Sequence, residues 1–460
     1  MTIRDHDPIA EDSRTGSTIF QHDPIVFKLS NYFHLKLSTL KYITFTIIGI
    51  ALLWPWNCFL SASGYYSERF INSPKLIKIY SSTMMSISTL TSTIYNFYLS
   101  QNQTNVNYNF RIKFGFYLTF FIFTIMAFSC ILSFFIHLND ILFFNILMTM
   151  VLISSMATCL AQNGTMAIVN VLGSIYANAV MVGQAIAGVL PSSALIISIL
   201  IVGDKKKVKD EHVDKDFGLF IYYITASLIS MVSIGLLFLT THCKEKQTYQ
   251  RLNEIMEEPE EEEEGANVNE DVHQQKEFVP FTQLWSKLKL IVLTIFFTFS
   301  ITLIFPIFAS TVTSNNTNSS SKFFKKNIFI PFIYFVWNIG DLMGRLLCGY
   351  PKLKFLIKNP KNQIIYSLAR LIFIPLFLTC NIHPEDSKFK PIINSDLWYI
   401  LLQFLFGISN GQLCTSAFMT VAKYCDTNDE KEAAGGFTSV FLSFGLAAGS
   451  LFSYLLVFAI

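Results

Sequence analysis

The chain has 460 residues, of which 52% are hydrophobic and 14% charged, with a formal net charge of +2. Soluble domains carry about 25% charged residues, so this composition and a mean hydropathy of +0.44 exclude an ordinary soluble globule and define a polytopic membrane protein. The near-neutral balance gives no case for nucleic acid, and the eight scattered cysteines lack CxxC or Cys/His spacing and read as structural thiols.

Residues 1–41 are polar and carry no signal-peptide core, so they read as a disordered cytosolic tail ahead of a first span that inserts as a signal anchor. A hydrocarbon core of ~30 Å needs about 20 apolar residues per helix. Eleven stretches qualify: 42–63, 77–99, 113–136, 141–166, 173–202, 217–241, 287–311, 327–350, 363–382, 397–422 and 434–460. The fourth and fifth nearly merge, and a tight turn is expected at Gly173-Ser174. The insert 242–286 divides six spans (bundle 42–241) from five (bundle 287–460). Its glutamate run from Glu257 to Glu264, broken only by Pro259, repels itself and predicts a disordered cytosolic linker, with a regulatory partner as the alternative use. Arg4, Arg14, Lys28, Lys36 and Lys41 favour a cytosolic N-terminus over the opposing lysines between 205 and 209. Sequons such as Asn315-Asn316-Thr317 and Asn163-Gly164-Thr165 are weak guides in so asparagine-rich a chain.

Chemistry-bearing residues appear inside these apolar spans. The first holds Trp54-Pro55-Trp56-Asn57, where the proline frees a backbone carbonyl and the asparagine can supply hydrogen bonds. An indole away from the headgroups either packs between helices or faces a planar heterocycle. Met84 and Met85 suit an adaptable site, with core packing as the plainer reading. Gln162 and Asn163 sit among small residues, and an amide in hydrocarbon must find a neighbouring helix or a ligand. Gly183, Gly188, Gly435, Gly436, Gly445 and Gly449 read as close-packing positions that permit rocking.

The eighth span carries Asn338, Asp341 and Arg345, spaced to share one helix face. A single charge at a bilayer centre costs roughly 2.5–3.5 kcal/mol on insertion scales, so two charges need compensation. Two readings stand: an internal ion pair holding helices together, or a carboxylate and guanidinium that address a substrate's vicinal hydroxyls. Arg370 in the ninth span either extends a polar cavity or reaches an interface or helix-end carbonyls.

At these residues the chain resembles the equilibrative nucleoside transporter family, as a fungal-type member. The matching motifs are LWPWNCF (53–59), AQNG (161–164), VGQAIAG (182–188), WNIGDLMGR (337–345), ARLIFIPLFLTCN (369–381), GISNGQL (407–413) and AAGG…FLSFGLAAGSLFS (433–453). The resemblance implies an all-α membrane protein with eleven transmembrane helices in a major-facilitator-like six-plus-five arrangement. It also implies facilitated, alternating-access transport of nucleosides without cofactor. The residue matching Trp56 lies beside the nucleobase, that matching Gln162 hydrogen-bonds it, and those matching Asp341 and Arg345 address the ribose. Positions matching Leu53, Asn57, Leu60, Met84, Phe305, Asn338 and Leu442 contribute to the cavity or its gates; Pro55, Gly183, Gly188, Arg370 and Gly445 are structural or gating candidates. Fungal-type relatives favour the vacuole over the plasma membrane. Thr158, Trp54 and Gln412 depart from the common pattern, which bears on nucleoside-versus-nucleobase preference. The alternatives are a carrier of nucleobases or other polyol solutes, and a non-transporting membrane sensor or scaffold. No triad, nucleotide loop or metal cluster stands in the sequence to carry catalysis or ATP drive.

Overall fold

The computed structural model describes residues 25–30, 33–104, 106–202, 215–257, 277–316, 324–382 and 391–459. The expected tail up to residue 24, the lysines between 205 and 209, the glutamates after Glu257 and the sequon at Asn318 lie outside them.

Two compact units are present. The first comprises residues 1–44 and 235–272. In it β1 (Ile25–Ser30) pairs antiparallel with β2 (Phe33–Lys36), in the register Lys28 to His34. The stretch expected as a tail to residue 41 therefore holds a hairpin, and the first helix opens at Leu37. In the same unit Thr44 Oγ1 and Thr240 Oγ1 lie 2.9 Å apart.

The second unit, residues 45–234 and 273–460, is helical. In chain order the helices are α1 (Leu37–Ser61), α2 (Ser63–Arg69), α3 (Pro74–Gln101), α4 (Tyr108–Ser129), α5 (Ser133–Ile136), α6 (Asp140–Leu172), α7 (Ser174–Val202) and α8 (Phe217–Glu257). They continue with α9 (Phe281–Thr302), α10 (Phe305–Thr311), α11 (Lys326–Cys348), α12 (Pro360–Ala369), α13 (Phe373–Phe377), α14 (Asp396–Thr420) and α15 (Asn428–Ala459). α1 begins and α8 ends in the first unit.

Local chemistry sets the boundaries. Asn107, Asn139 and Asn359 accept a backbone N–H from Phe110, Ile141 and Lys361, capping α4, α6 and α12. α6 and α7 part at Gly173, whose φ of 123° suits only a residue without Cβ. α8 continues into the segment expected as a loop, reaching Glu257.

Among the described residues, eight helical stretches are long and apolar enough to cross a membrane. The expected second, eighth and ninth spans fall on α3, α11 and α12–α13, which do not meet that test. α3 is diluted by Lys75, Lys78 and a run of serines and threonines, and α11 by its polar trio. The ninth is interrupted by a 3-10 turn at Arg370–Ile372. Among the described residues two large apolar cores stand out, beside a small one of Leu99, Cys159 and Leu160. One packs Phe59, Tyr66, Phe70, Phe123, Phe143 and Tyr223 from the first half of the chain. The other packs Phe305, Phe308, Phe329, Phe377, Tyr399 and Phe406 from the second.

Candidate functional site

The site lies along the seam between α7 and α11. At one end the seam is open on a cavity of about 920 Å³ whose wall includes Asn57, Leu60, Gly188, Ser192, Phe305, Tyr334 and Asn338. Its deepest polar group on α11 is Asn338, which donates to Ser192 Oγ at 2.9 Å and to the Tyr334 carbonyl at 2.8 Å. Asn57 donates to the Ala187 carbonyl at 2.8 Å, tying α1 to α7 at the same depth. Gly188 lets the two helices cross there, since a Cβ would sit 2.6 Å from Asn338 Oδ1. Phe305 stacks on Trp337 with ring centroids 4.3 Å apart and meets Tyr334 edge-on.

Three residues further along α11, or about 4.5 Å at 1.5 Å per residue, the seam is closed by charge. Asp341 and Arg345 are only 4% and 6% exposed. Arg345 Nε donates to Asp341 Oδ2 at 2.9 Å, and Asn410 Nδ2 donates to Asp341 Oδ1 at 2.7 Å. Asn410 itself accepts from Thr302 Oγ1 at 2.5 Å. Across the seam, Arg345 Nη1 donates to the Met181 carbonyl at 2.9 Å, and Asn178 Nδ2 donates to the Arg345 carbonyl at 2.8 Å. A carboxylate offers about four lone-pair sites, so Asp341 retains acceptor capacity beyond these two bonds.

Glycines set this geometry. A Cβ on Gly411 would run into the Asp341 carbonyl and one on Gly340 would meet the Phe404 carbonyl at 2.5 Å, so α11 and α14 touch backbone to backbone. That close approach brings Asn410 within reach of Asp341. On the same closed side, a Cβ on Gly435 of α15 would meet the Ala167 nitrogen of α6 at 2.5 Å, and Asn170 donates to the Lys431 carbonyl at 3.1 Å.

The remaining candidates distribute as follows. Gln162 is buried; its Oε1 accepts from Gln184 Nε2 at 3.2 Å, while its own Nε2 has no partner among the described residues. Trp56 is half-buried and Trp54 buried. The Trp54 indole donates to Thr225 Oγ1 at 2.8 Å and packs against Tyr222, the packing role open to it from sequence. Pro55 lies within α1. Met84 is buried in the first-half core, with Leu53 packed against that core; Met85 is exposed and Leu442 half-buried. Gly183 meets Gly49 at the α1–α7 crossing, and a Cβ on Gly445 would stand 2.7 Å from the Phe296 carbonyl. Arg370 is buried inside the second-half bundle. It donates to Ser409 Oγ at 3.1 Å and the Thr298 carbonyl at 3.2 Å, with Phe406 beneath its guanidinium. The open cavity thus touches Asn57, Leu60, Gly188, Phe305 and Asn338 but not Trp56, Gln162, Asp341 or Arg345.

Sequence reasoning did not single out Asn410, Asn178, Gln184, Ser192 or Tyr222. The first three are amides inside apolar spans, a signal equal to the one that marked Gln162. Asn163 accepts from Arg111 at 2.6 Å and is buried, which removes it as a glycan acceptor. The eight cysteines are free, and burial pushes the Cys425 thiol up to about 12.

A helical bundle with a cavity on its central seam and a buried ion pair beneath it is a carrier architecture, and solved carriers share the fold. The proton:xylose symporter XylE aligns with a TM-score of 0.61 at 11% identity, covering 91% of this chain and 89% of that one. The human organic anion transporter MFSD10 aligns at 0.54 with 12% identity, covering 90% and 92%. The fold is therefore of the major-facilitator type. Residues 147–458 match the family model described as Nucleoside transporter, and the chain belongs to that family of multi-pass membrane proteins. Nucleoside transporter FUN26 of Saccharomyces cerevisiae is 38% identical, over 92% of this chain and 85% of the relative. Equilibrative nucleoside transporter 1 of Homo sapiens is 24% identical, over 90% and 96%. The chain is a nucleoside transporter.

Proposed function

We propose that this chain moves nucleosides by facilitated alternating access, with the substrate held near the midplane between a six-helix and a five-helix bundle. Eleven spans are completed by α3, α11 and α12–α13. The polar trio and the broken ninth helix are the features that lower their hydropathy. The observation that carries the reading is the closed Asp341–Arg345–Asn410 cluster one turn beneath an open cavity. On closure of the cavity the ribose hydroxyls engage Asp341 and Arg345, the base stacks on Trp56, and the free Nε2 of Gln162 donates to a base acceptor. Asn338, Asn57, Leu60 and Phe305 line the approach; Leu53, Met84 and Leu442 support the gates. Pro55, Gly183, Gly188 and Gly445 allow the helices to rock, and Arg370 braces the second bundle.

The N-terminus is cytosolic, the vacuolar membrane is the favoured location, and the acidic sequence of the 242–286 insert is a candidate for recognition by a regulatory partner. The experiment is uptake of labelled adenosine by the full chain in liposomes, at two pH values and against unlabelled adenosine, adenine and ribose. Saturable uptake competed by adenosine, equal at both pH values, is expected. Competition by adenine alone would make it a nucleobase carrier. No uptake would favour a sensor or scaffold.

A further inference from the structure

The groups assigned to the sugar lie below the open cavity, so an arriving nucleoside meets other residues first. A cavity of about 920 Å³ is near the top of the ~300–1,000 Å³ range of small-ligand pockets. It has room for a position above Asn338.

The wall nearest the helix ends is built from Ser61, Tyr65, Asp216 and Tyr222. Asp216 is held in place: its N–H donates to the Cys130 carbonyl at 3.1 Å, and its Oδ1 accepts the Leu219 N–H at 2.9 Å as the cap of α8. Among the described residues its Oδ2 has no hydrogen-bond partner. The Tyr222 hydroxyl accepts from Ser61 Oγ at 3.4 Å, so its own proton is available as a donor. Trp54 fixes that ring by packing on it at 5.7 Å while its N–H is anchored on Thr225. Tyr65, 7% exposed, completes the wall, and its hydroxyl is buried without a partner. The lining carries one carboxylate and, among the described residues, no lysine or arginine. A fixed carboxylate beside a phenol and a serine accepts from and donates to a neutral diol, and it repels a phosphorylated one.

We propose that Asp216, Tyr222 and Ser61 form an entry subsite that takes the sugar hydroxyls of an incoming nucleoside before Asp341 becomes available. The proposal rests on the nucleoside-transport reading and adds a second hydroxyl-binding position to it. It also gives Trp54 a role, as the support of Tyr222.

The test compares adenosine with 2′,3′-dideoxyadenosine in liposomes carrying wild-type, Asp216→Asn or Tyr222→Phe protein. Asparagine caps a helix as well as aspartate does, so Asp216→Asn removes the charge and keeps the end of α8. Hydrogen bonds to charged groups contribute about 1.5–3 kcal/mol, so the half-saturating adenosine concentration should rise about tenfold in Asp216→Asn. The maximal rate should stay within about twofold and the dideoxy value should not move. Tyr222→Phe should shift adenosine about threefold in the same direction. Unchanged adenosine values in both variants, or equal losses for both sugars, would overturn the subsite. Absence of adenosine uptake by the wild type would instead remove the transport reading on which it rests.

Discussion

The two ends of the α7–α11 seam are made from the same pair of helices, yet one is open and the other shut. At the open end Ser192 and Asn338 make a single neutral side-chain bridge beside a large cavity. At the closed end Arg345 spans from Asp341 to the Met181 carbonyl, and Asn178 returns a bond to the Arg345 backbone. Charge-assisted hydrogen bonds are roughly twice as strong as neutral ones, and the low dielectric at the closed end strengthens them further. Polar groups occur at both ends. What separates them is whether those groups are enclosed by protein or border open space. In the proposed alternating-access cycle that imbalance reverses, and the closed cluster is the part the substrate would rearrange.

Packing supplies the largest handle on this contrast. Gly411→Ala forces a Cβ into the Asp341 carbonyl, and overpacking of this kind costs about 1–3 kcal/mol. A lowered thermal midpoint and at least tenfold slower uptake are expected; wild-type values for both would mean that the α11–α14 contact tolerates separation. A smaller effect is expected from Gln184→Leu, which frees Gln162 from its present orientation. Loss of one neutral hydrogen bond is worth about 1 kcal/mol, so the half-saturating concentration for adenosine should rise roughly fivefold. 1-Deaza-, 3-deaza- and 7-deazaadenosine, run beside adenosine, would show which base acceptor Gln162 serves; identical kinetics for all four in both proteins would remove Gln162 from the base. The smallest change should follow Ser192→Ala. It removes the bridge at the open end and the bond from Ser192 Oγ to the Gly188 carbonyl within α7, and uptake within about twofold of wild type is expected. A tenfold loss would show that the open end is latched as firmly as the closed one.

The sequence made much of this legible, because a polar residue in an apolar span is conspicuous. The helix face shared by Asn338, Asp341 and Arg345 follows from their spacing alone. That the face divides by depth does not follow, since it depends on where Gly188 lets α7 cross. Asn338 meets Ser192 in the cavity, whereas Asp341 turns to Asn410 on a helix nearly seventy residues away. The pairing of Gln162 with Gln184 did not emerge from the sequence, although both are amides in adjacent apolar spans. The hairpin at β1–β2 escaped notice although Ile25, Val26, Phe27, Leu29, Phe33 and Leu35 are apolar, because strands of six and four residues are too short to stand out in a tail that is polar on average. Tyr65 and Tyr222 are invisible for another reason: in a chain with 15% aromatics, nothing distinguishes a ring on a cavity wall from one in a core. Arg370 shows the same ambiguity from the charged side. Its donors go to Ser409, a helix carbonyl and an aromatic face, while its buried Nη2 meets no partner among the described residues.

The central claim is that Asp341 and Arg345 bind substrate and do more than hold α11 in place. Replacing both charges with neutral polar groups separates these roles, because a buried ion pair exchanged as a unit is often neutral for stability whereas removal of one partner costs about 3–5 kcal/mol. Adenosine uptake should therefore be measured in liposomes with the double variant Asp341→Asn/Arg345→Gln, checked for a thermal midpoint close to wild type. The account predicts a folded protein with uptake reduced at least a hundredfold. Uptake at the wild-type rate would show that the pair is structural and would contradict the assignment.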